Sequence, residues 1–219
     1  MSKCIIISAG DFEYLDFDKK DGDMLIACDG GFHYLNRMGM LPNLIVGDFD
    51  SLSENAEDMR ALEEINMLDP GRIVRLNTHK DDTDTMTAIK IGLSKGFTKF
   101  YLYGMLGGKR LDHTIANIQS LLYLKNRGAT GYIMEKDSVM LVAKNEEIRF
   151  HNGLTGMLSI FALEKDAKGV TLKGLEYEMD NGELHVDYPM GVSNEFVIDE
   201  EAVINVTDGT LLLMATFDN

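Results

Sequence analysis

Short apolar runs alternate with amphipathic helical segments through the first 130 or so residues, and this rhythm limits the possible folds more than any other feature. The runs at residues 4–8, 24–28, 43–46, 73–76 and 100–103 have the composition of buried strands. Helical spacing of apolar residues, closed by glycine, follows several of them. Strands that alternate with helices indicate βαβ units, so the sequence predicts a parallel α/β sheet.

The pattern changes past Tyr132. Short strand-like runs rich in Val, Ile, Leu and Phe alternate with turn sequences such as Asp180-Asn181-Gly182 and Asp208-Gly209. This texture is typical of an all-β domain, for which we expect a sandwich. The sequence therefore predicts an α/β domain over residues 1–137 and a β-sandwich domain over residues 138–219.

Composition argues against several classes of partner. The chain has 36 acidic and 21 basic side chains and a formal net charge of −15, whereas nucleic acid requires a basic surface. We expect no membrane partner, because no apolar run reaches membrane-spanning length and residues 1–3 lead into a strand without a signal pattern. Cys4 and Cys28 lie in apolar runs typical of reduced core residues, which predicts a cytoplasmic protein.

Polar clusters follow four of the predicted strands. They are Asp29-Gly30-Gly31 after the second strand, Gly47-Asp48-Phe49-Asp50-Ser51 after the third, residues 80–84 after the fourth and residues 107–113 after the fifth. Ligands of parallel sheets bind outside the carboxyl ends of the strands. The coincidence predicts a binding site at this edge of the sheet.

Asp48 and Asp50 are the first candidate metal ligands. One residue separates them at a strand exit, so both carboxylates can face one ion, and Mg²⁺ prefers one or two carboxylates with water and phosphate oxygens. Asp84 can reach the same ion if the third and fourth strands face one site. The alternative is a solvated acidic turn that caps the next helix, for which Ser51 and Glu54 have capping-box spacing.

Two glycine-containing segments indicate an anionic ligand. Asp29-Gly30-Gly31 could present peptide N–H groups to nucleotide phosphates, although a simple strand-to-helix turn explains it equally well. The segment 107–113 combines glycines with Lys109 and Arg110, of which the arginine suits bidentate phosphate contact. Its last two residues, an aspartate and a histidine, either cap a helix and satisfy local hydrogen bonds or contact the nucleotide. Asp82 is expected only to cap the helix after the fourth strand.

The ordered set of motifs resembles that of the thiamine pyrophosphokinase family. The motifs are Asp-Gly-Gly, Gly-Asp-Phe-Asp-Ser, Lys-Asp-x-Thr-Asp and Gly-Gly-x-Arg-x-Asp-His, at the four positions given above. The second half adds Leu158-Ser159-Ile160-Phe161, Gly174-Leu175-Glu176-Tyr177 and Gly191-Val192-Ser193-Asn194-Glu195, which look like signatures of that family's C-terminal domain. The resemblance spans nearly the whole chain.

The resemblance implies an enzyme that transfers pyrophosphate from ATP to the hydroxyethyl group of thiamine with release of AMP. It further implies Mg²⁺ as cofactor and a homodimer with active sites between subunits. The implied catalytic residues are Asp48, Asp50, Asp84 and Asp112, the first three as metal ligands and either Asp84 or Asp112 as general base. The implied ATP-binding residues are Asp29, Gly30, Gly31, Gly107, Lys109, Arg110, Asp112 and His113.

For thiamine, the resemblance implies contacts from Lys80 and Asp81 and from Ser193 and Asn194 of the partner subunit. Animal members place a tryptophan against the thiamine ring. This chain has no tryptophan, and Phe196 is the nearest aromatic substitute.

Two other functions fit parts of the pattern. A pyrophosphokinase acting on another alcohol, such as a hydroxymethylpterin, would keep the metal acids and change the acceptor pocket. A non-catalytic nucleotide sensor would keep Asp29-Gly30-Gly31 without needing all three metal acids. The complete acid set argues against the sensor, and Ser193-Asn194 argues against the pterin enzyme.

Overall fold

The computed structural model describes residues 2–12, 17–50, 52, 55–77, 81–107 and 110–218. The chain divides into two compact units, Met1–Lys136 and Asp137–Asn219, next to the boundary expected between residues 137 and 138. Among the helices of the described ranges, none is both long enough and apolar enough to span a bilayer.

The first unit is an α/β layer structure built on a parallel sheet. Its described strands are β1 (Cys4–Ile7), β2 (Met24–Cys28), β3 (Leu44–Gly47), β4 (Ile73–Arg75), β5 (Lys99–Tyr103) and β6 (Thr130–Met134). Its α-helices are α1 (Gly31–Arg37), α2 (Ala56–Leu68), α3 (Asp84–Ser94) and α4 (Leu111–Lys125), with a 3₁₀ turn at Pro70–Arg72. The strands lie in the order β6-β5-β1-β2-β3-β4, and each neighbouring pair runs parallel. The predicted parallel α/β sheet is confirmed.

The central strands are apolar throughout because helices cover the sheet. All four residues of β1 and all five of β2 are buried. Phe32 and Leu35 of α1 and Leu62 of α2 pack against one face of this sheet in a shared core. Burial of this kind is the main force that holds such elements together.

Two helix starts differ from the sequence expectation. The sequence pattern predicts a helix from about Thr114 to Asn126, whereas α4 begins at Leu111, about a turn earlier, so Asp112 and His113 lie in its first turn. α2 begins at Ala56, with the Asn55 side chain as its N-cap. The capping residues expected for α2, Ser51 and Glu54, lie outside the described residues.

β6 was not predicted as a strand, because Gly131 weakens its pattern. A Cβ at this position would stand 2.6 Å from Leu124 and 2.9 Å from Leu121 of α4. The glycine therefore lets the helix close onto the strand.

The second unit contains two antiparallel sheets of four strands. Its strands are β7 (Ser138–Lys144), β8 (Glu147–Phe150), β9 (Gly156–Ala162), β10 (Ala167–Lys173), β11 (Met179–Leu184), β12 (Asn194–Glu195), β13 (Ala202–Asn205) and β14 (Thr210–Phe217). Within this unit the strand orders are β12-β9-β14-β7 and β11-β10-β13-β8. The predicted β-sandwich is confirmed.

One of the two expected turns is wrong. Asp180-Asn181-Gly182 lies inside β11, where the pairing with β10 shifts register. Asn181 has φ +49°, a left-handed conformation that asparagine tolerates better than most residues, so the sequence codes for an irregular strand here. Asp208-Gly209 connects β13 to β14 as expected.

Candidate active site

A cavity of about 260 Å³ lies in the first unit at the point where the strand order reverses. β1 has β2 on one side and β5 on the other, and residues that follow these three strands line the cavity together with the beginnings of α3 and α4. Ligands of open α/β sheets bind at such a reversal, outside the carboxyl ends of the strands. We therefore take this cavity as the candidate active site.

Backbone forms the wall of the cavity between β1 and β5. The Gly10 N–H donates to the Gly104 carbonyl oxygen at 2.8 Å. A Cβ on Gly10 would stand 2.5 Å from that oxygen, and a Cβ on Gly104, whose φ is +63°, would stand 2.5 Å from the Ser8 carbonyl oxygen. Only glycine at these two positions allows the two chain segments to approach so closely.

Three carboxylates, which we call the acid trio, lie beside this edge of the sheet: Asp29, Asp48 and Asp50 each offer an oxygen within 4.8 Å of the other two. Asp29 directly follows β2 and lines the cavity, and the other two follow β3. β2 and β3 are neighbours with Cys28 opposite Val46, so their carboxyl ends are level. The parallel register is therefore what brings the three acids together.

The acid trio differs from the predicted metal-binding set by one member. We predicted Asp48, Asp50 and Asp84, and the structure groups Asp29 with the first two. Asp84 is the first residue of α3 and lines the cavity, as Asp29 does. A metal-binding role for Asp84 stays a prediction.

A second group of potential metal ligands, Asp166, Glu183 and His185, occurs among the described residues of the second unit. Its members flank the pairing of β10 with β11. The His185 ring nitrogen Nδ1 lies 3.1 Å from Asp166, and Lys168 lies 3.6 Å from Glu183. This half-exposed ladder of cross-strand ion pairs accounts for their proximity.

Arg110 lines the cavity and holds Asp112 with both ends of its guanidinium. Its Nε donates to Oδ1 at 2.9 Å and its Nη2 to Oδ2 at 2.6 Å. These hydrogen bonds lower the pKa of Asp112 to about 2 and raise the pKa of Arg110. His113 also lines the cavity, whereas Lys109 lies outside the described residues.

Polar residues that the sequence analysis missed complete the lining. The hydroxyls of Ser8 and Thr85 hydrogen-bond at 2.7 Å, and the amide of Asn117 donates to the Met105 carbonyl at 2.7 Å. Their isolated positions in the sequence gave no motif. Only the place of Ser8, at the carboxyl end of a predicted strand, could have indicated it.

Cys28 also borders the cavity, and burial raises the pKa of its thiol. It is therefore a protonated wall residue rather than a nucleophile. Both cysteines are free and buried, as expected.

The two glycines after Asp29 allow the tight connection between β2 and α1. Gly30 occupies the N-cap position of α1. A Cβ on Gly31 would stand 2.1 Å from the Ile7 carbonyl oxygen, so this residue is glycine because α1 passes over the end of β1. Gly107 lines the cavity with φ +74° beside Asp11. Contacts of these three glycines with ATP stay predictions.

The start of α3 differs in detail from the sequence expectation. Thr83, rather than Asp82, caps the helix, because its Oγ1 accepts from the Met86 N–H at 3.1 Å. Asp82 instead pairs with Lys90 at 2.6 Å. Asp81 borders a separate cavity of about 190 Å³ between the beginning of α3 and the middle of α4. Lys80 lies outside the described residues.

The thiamine-binding residues expected from the second unit differ in exposure and in hydrogen bonding. Ser193 is exposed with φ +56°. Asn194 is 5% exposed, and its amide accepts from the N–H groups of Tyr177 and Glu195, both at 2.9 Å, and donates to the Tyr177 carbonyl at 2.8 Å. Both the oxygen and the nitrogen of the Asn194 amide therefore hydrogen-bond to backbone groups. A contact of Asn194 with thiamine stays a prediction.

Phe196 belongs to an aromatic cluster of the second unit. Its ring lies 5.4 Å from that of Phe150 in an edge-on arrangement and 6.1 Å from that of Phe217 in a stacked arrangement. The ring is half-buried, so only part of it is open to a ligand.

Two family models match the chain. Residues 18–133 match the model described as thiamin pyrophosphokinase, catalytic domain, and residues 144–211 match the model described as thiamin pyrophosphokinase, vitamin B1 binding domain. The chain belongs to the thiamin pyrophosphokinase family. The match confirms the family that the motifs resemble.

Relatives agree with this membership. A thiamine pyrophosphokinase of Bacillus subtilis is 27% identical over 202 residues, which cover 88% of this chain and 87% of the relative. Thiamin pyrophosphokinase 1 of Caenorhabditis elegans is 25% identical over 182 residues, which cover 78% and 70%.

Solved thiamin pyrophosphokinases share the fold. The crystal structure from Bacillus subtilis has a TM-score of 0.84 at 22% identity and covers 100% of both chains. That from Geobacillus thermodenitrificans has a TM-score of 0.80 at 20% identity and covers 100% of this chain and 99% of the other.

The two thiamin pyrophosphokinase models divide the candidate residues between them. The acid trio, Asp84 and Arg110 fall within the region that matches the catalytic domain. Ser193, Asn194 and Phe196 fall within the region that matches the vitamin B1 binding domain.

Proposed function

We propose that this thiamin pyrophosphokinase family member transfers a pyrophosphoryl group from ATP to the hydroxyethyl oxygen of thiamine, giving thiamine diphosphate and AMP. The observation that carries the proposal is the acid trio at the edge of a cavity where the strand order reverses, inside the region that matches the family's catalytic domain. Phosphoryl transfer is mainly a matter of positioning and of charge stabilisation, and this edge of the sheet offers groups for both.

The acid trio suits Mg²⁺. Its donors are carboxylate oxygens, the ligands that this ion prefers, and two members come from one turn as a pair one residue apart. When bound there, the ion would supply positive charge to the phosphate oxygens. Asp29, Asp48 and Asp50 would hold it, with Asp84 as a further candidate ligand on the cavity wall.

Arg110 is the candidate for the phosphate chain. Its planar fork already makes a bidentate contact with the Asp112 carboxylate, and a phosphate group presents the same paired oxygens with more charge. The pair is exposed, so exchange of one anion for the other costs little desolvation. Lys109 and His113 are further candidates at the same segment.

The thiamine hydroxyl must lose a proton as its oxygen attacks the β-phosphorus. Asp84 and Asp112 are the candidate bases. In the chain without ATP, the pairing with Arg110 lowers the pKa of Asp112 to about 2, but transfer of Arg110 to a phosphate group would release this carboxylate. Asp84 and Asp112 both stay candidates, and the Asp84→Asn and Asp112→Asn variants distinguish them.

For thiamine itself we propose contacts from Lys80 and Asp81 and from Ser193, with the protein acting as a homodimer whose partner subunit supplies the second-unit residues. The support is the match of the second unit to a vitamin B1 binding domain. The net charge of −15 favours a cationic substrate at long range. The free, buried cysteines support a cytoplasmic location.

An assay of AMP release tests the reaction. The purified chain is given ATP and Mg²⁺ with thiamine, with a hydroxymethylpterin or with no acceptor. We expect release that depends on thiamine and stops when the ion is chelated. Equal release with the pterin, or release without any acceptor, would refute the assignment of thiamine as the substrate.

A second experiment tests the shared site. The Asp50→Asn protein is mixed with a thiamine-site variant, Ser193→Gly, which keeps the left-handed backbone but loses the hydroxyl. If both parents have reduced activity and each pocket uses both subunits, subunit exchange should restore activity above their average. A chain that sediments as a monomer while fully active would exclude a shared site.

A further inference from the structure

We propose that His33 and Asp58 are positioning residues that fix the place of Asp29 relative to Asp48 and Asp50. They belong to a group that we call the polar clamp: His33 and Asn36 of α1, Asn55 and Asp58 at the start of α2. The inference rests on the proposed role of the acid trio as a metal site. It adds residues that lie outside the described lining of the cavity.

The acid trio needs external support because it is assembled from two separate turns. Asp29 leads from β2 into α1, whereas Asp48 and Asp50 lie between β3 and α2. Each turn contains a residue other than glycine in the left-handed region, Asp29 at φ +46° and Phe49 at φ +67°. Such conformations persist only where the surrounding structure holds them in place.

The polar clamp joins the two helices that follow these turns. Asp58 in the first turn of α2 is 1% exposed. One of its carboxylate oxygens accepts from Nδ1 of His33 at 2.7 Å and the other accepts from Nδ2 of Asn36 at 2.8 Å. Because an ionised carboxylate only accepts, Nδ1 of His33 must carry the proton. His33 and Asn36 lie one turn apart on the same face of α1.

Asn55 ties the clamp to the turn that carries the two acids. Its side-chain oxygen caps α2 by accepting from the N–H groups of Glu57 at 3.0 Å and Asp58 at 3.3 Å. Its amide nitrogen also lies 3.3 Å from Nδ1 of His33, which is a packing contact and not a hydrogen bond when Nδ1 carries the proton. Because Asn55 caps α2 and Asp58 is hydrogen-bonded to α1, the start of α2, whose N-cap lies five residues after Asp50, is held against α1, which begins two residues after Asp29.

A clamp of this kind is an unusual way to pack two helices. Apolar side chains hold helices together without the cost of burying a carboxylate, and α1 and α2 already share an apolar core through Phe32, Leu35 and Leu62. Hydrogen bonds to both oxygens of a buried carboxylate also fix orientation and register. The apolar core already holds the two helices together, so we infer that the buried Asp58 carboxylate fixes their relative orientation and register.

Metal binding by the full chain without nucleotide tests the inference. Mn²⁺ is titrated and followed by electron paramagnetic resonance for the native chain, Asp58→Asn, His33→Asn and the control Glu57→Gln. Glu57 is exposed and lies beside Asp58 in the same turn, so its variant makes the same change of charge outside the clamp. We expect the two clamp variants to weaken Mn²⁺ binding by about tenfold or more and the control to stay within about twofold.

The His33 variant separates position from charge. If Asp58 acted only through its negative charge, His33→Asn would leave that charge in place and Mn²⁺ binding would not weaken. If the His33–Asp58 pair acts by positioning Asp29, binding should weaken in both single variants, and the double variant should bind little worse than either single one. The same variants should lower kcat and leave the KM for thiamine nearly unchanged.

Two results would overturn the inference. One is a folded Asp58→Asn or His33→Asn chain, judged by circular dichroism, that binds Mn²⁺ as tightly as the native chain. The other is a native chain that binds no Mn²⁺. His33 is partly exposed, so its variant is readable even if Asp58→Asn does not fold. If thiamine is not a substrate but the clamp variants still weaken Mn²⁺ binding, the proposed function would be refuted and the positioning role of His33 and Asp58 would be supported.

Discussion

Arg110 grips Asp112 through two parallel hydrogen bonds, Nε to Oδ1 at 2.9 Å and Nη2 to Oδ2 at 2.6 Å. The arginine therefore presents at the cavity a fork already arranged for a planar anion. The same geometry shows how a phosphate group would be held in place of the Asp112 carboxylate.

Arg110→Lys should weaken ATP use while sparing thiamine. One ammonium cannot make the paired contact, and a hydrogen bond to a charged group is worth about 1.5–3 kcal/mol, or roughly ten- to a hundredfold in an equilibrium constant. We expect a higher KM for ATP, a lower kcat or both, and unchanged thiamine binding without nucleotide. Arg149→Lys, which alters an exposed arginine paired with Glu147, is the matched control. Weaker thiamine binding with unchanged ATP kinetics would reverse our placement of the substrates.

Asp48→Asn and Asp50→Asn should each lower turnover at least about a hundredfold at saturating Mg²⁺, because each removes a carboxylate from the proposed ion site. Asp29→Asn should behave in the same way, since the structure places it in the acid trio. Asp82→Asn, an exposed acid paired with Lys90, should stay near the native rate. Steady-state turnover and circular dichroism check the set. Native turnover in the first two variants would eliminate the metal assignment.

Asp84→Asn and Asp112→Asn distinguish the two candidate bases. The first should reduce kcat by about a hundredfold or more, within the range for loss of a general base. The second removes a carboxylate whose pKa is about 2, so between pH 6 and 9 the pH profile of kcat should keep its shape. Loss of the acidic limb in Asp112→Asn alone would assign the base to Asp112 instead.

Asn194→Ala should destabilise the protein. The substitution removes three hydrogen bonds of a side chain that is 5% exposed, those with the N–H groups of Tyr177 and Glu195 and with the Tyr177 carbonyl, at about 0.5–1.5 kcal/mol for each. Urea unfolding followed by circular dichroism measures the loss. Ser193→Gly removes the neighbouring exposed hydroxyl and should change the free energy of unfolding by less than about 1 kcal/mol. Equal stability of the two variants would show that the amide network is dispensable.

The sequence was sufficient to predict most of the fold. β2 has the expected bounds, and β1, β3, β4 and β5 lie within one residue of theirs, because strands buried on both faces have continuous apolar runs. β6 was not predicted because Gly131, which makes room for α4, interrupts that pattern. The first turn of α4 was not predicted because the glycine-rich segment before it resembles a loop.

The site was predicted less completely. One residue separates Asp48 and Asp50, so their pairing was evident from the motif. Both strands next to β3, β2 and β4, lead into candidate acids, so the strand order alone did not identify the third partner. We chose Asp84, which lies in α3 beyond the end of β4, whereas the structure groups in Asp29, which follows β2 directly. Isolated polar residues such as Ser8 and Asn117 belong to the cavity through the fold alone.

The approach of Gly10 to Gly104 has a consequence for how this cavity can be redesigned. Hydrogen bonds continue beyond the ends of β1 and β5, from Ser8 to Tyr103, from Gly10 to Gly104 and from Asp11 to Leu106. A side chain at either glycine would clash with backbone, so substitutions at these two positions cannot reshape this wall of the cavity. A change of acceptor alcohol or nucleotide would have to arise at lining residues that carry side chains, among them Thr83, Thr85, Arg110, His113 and Asn117.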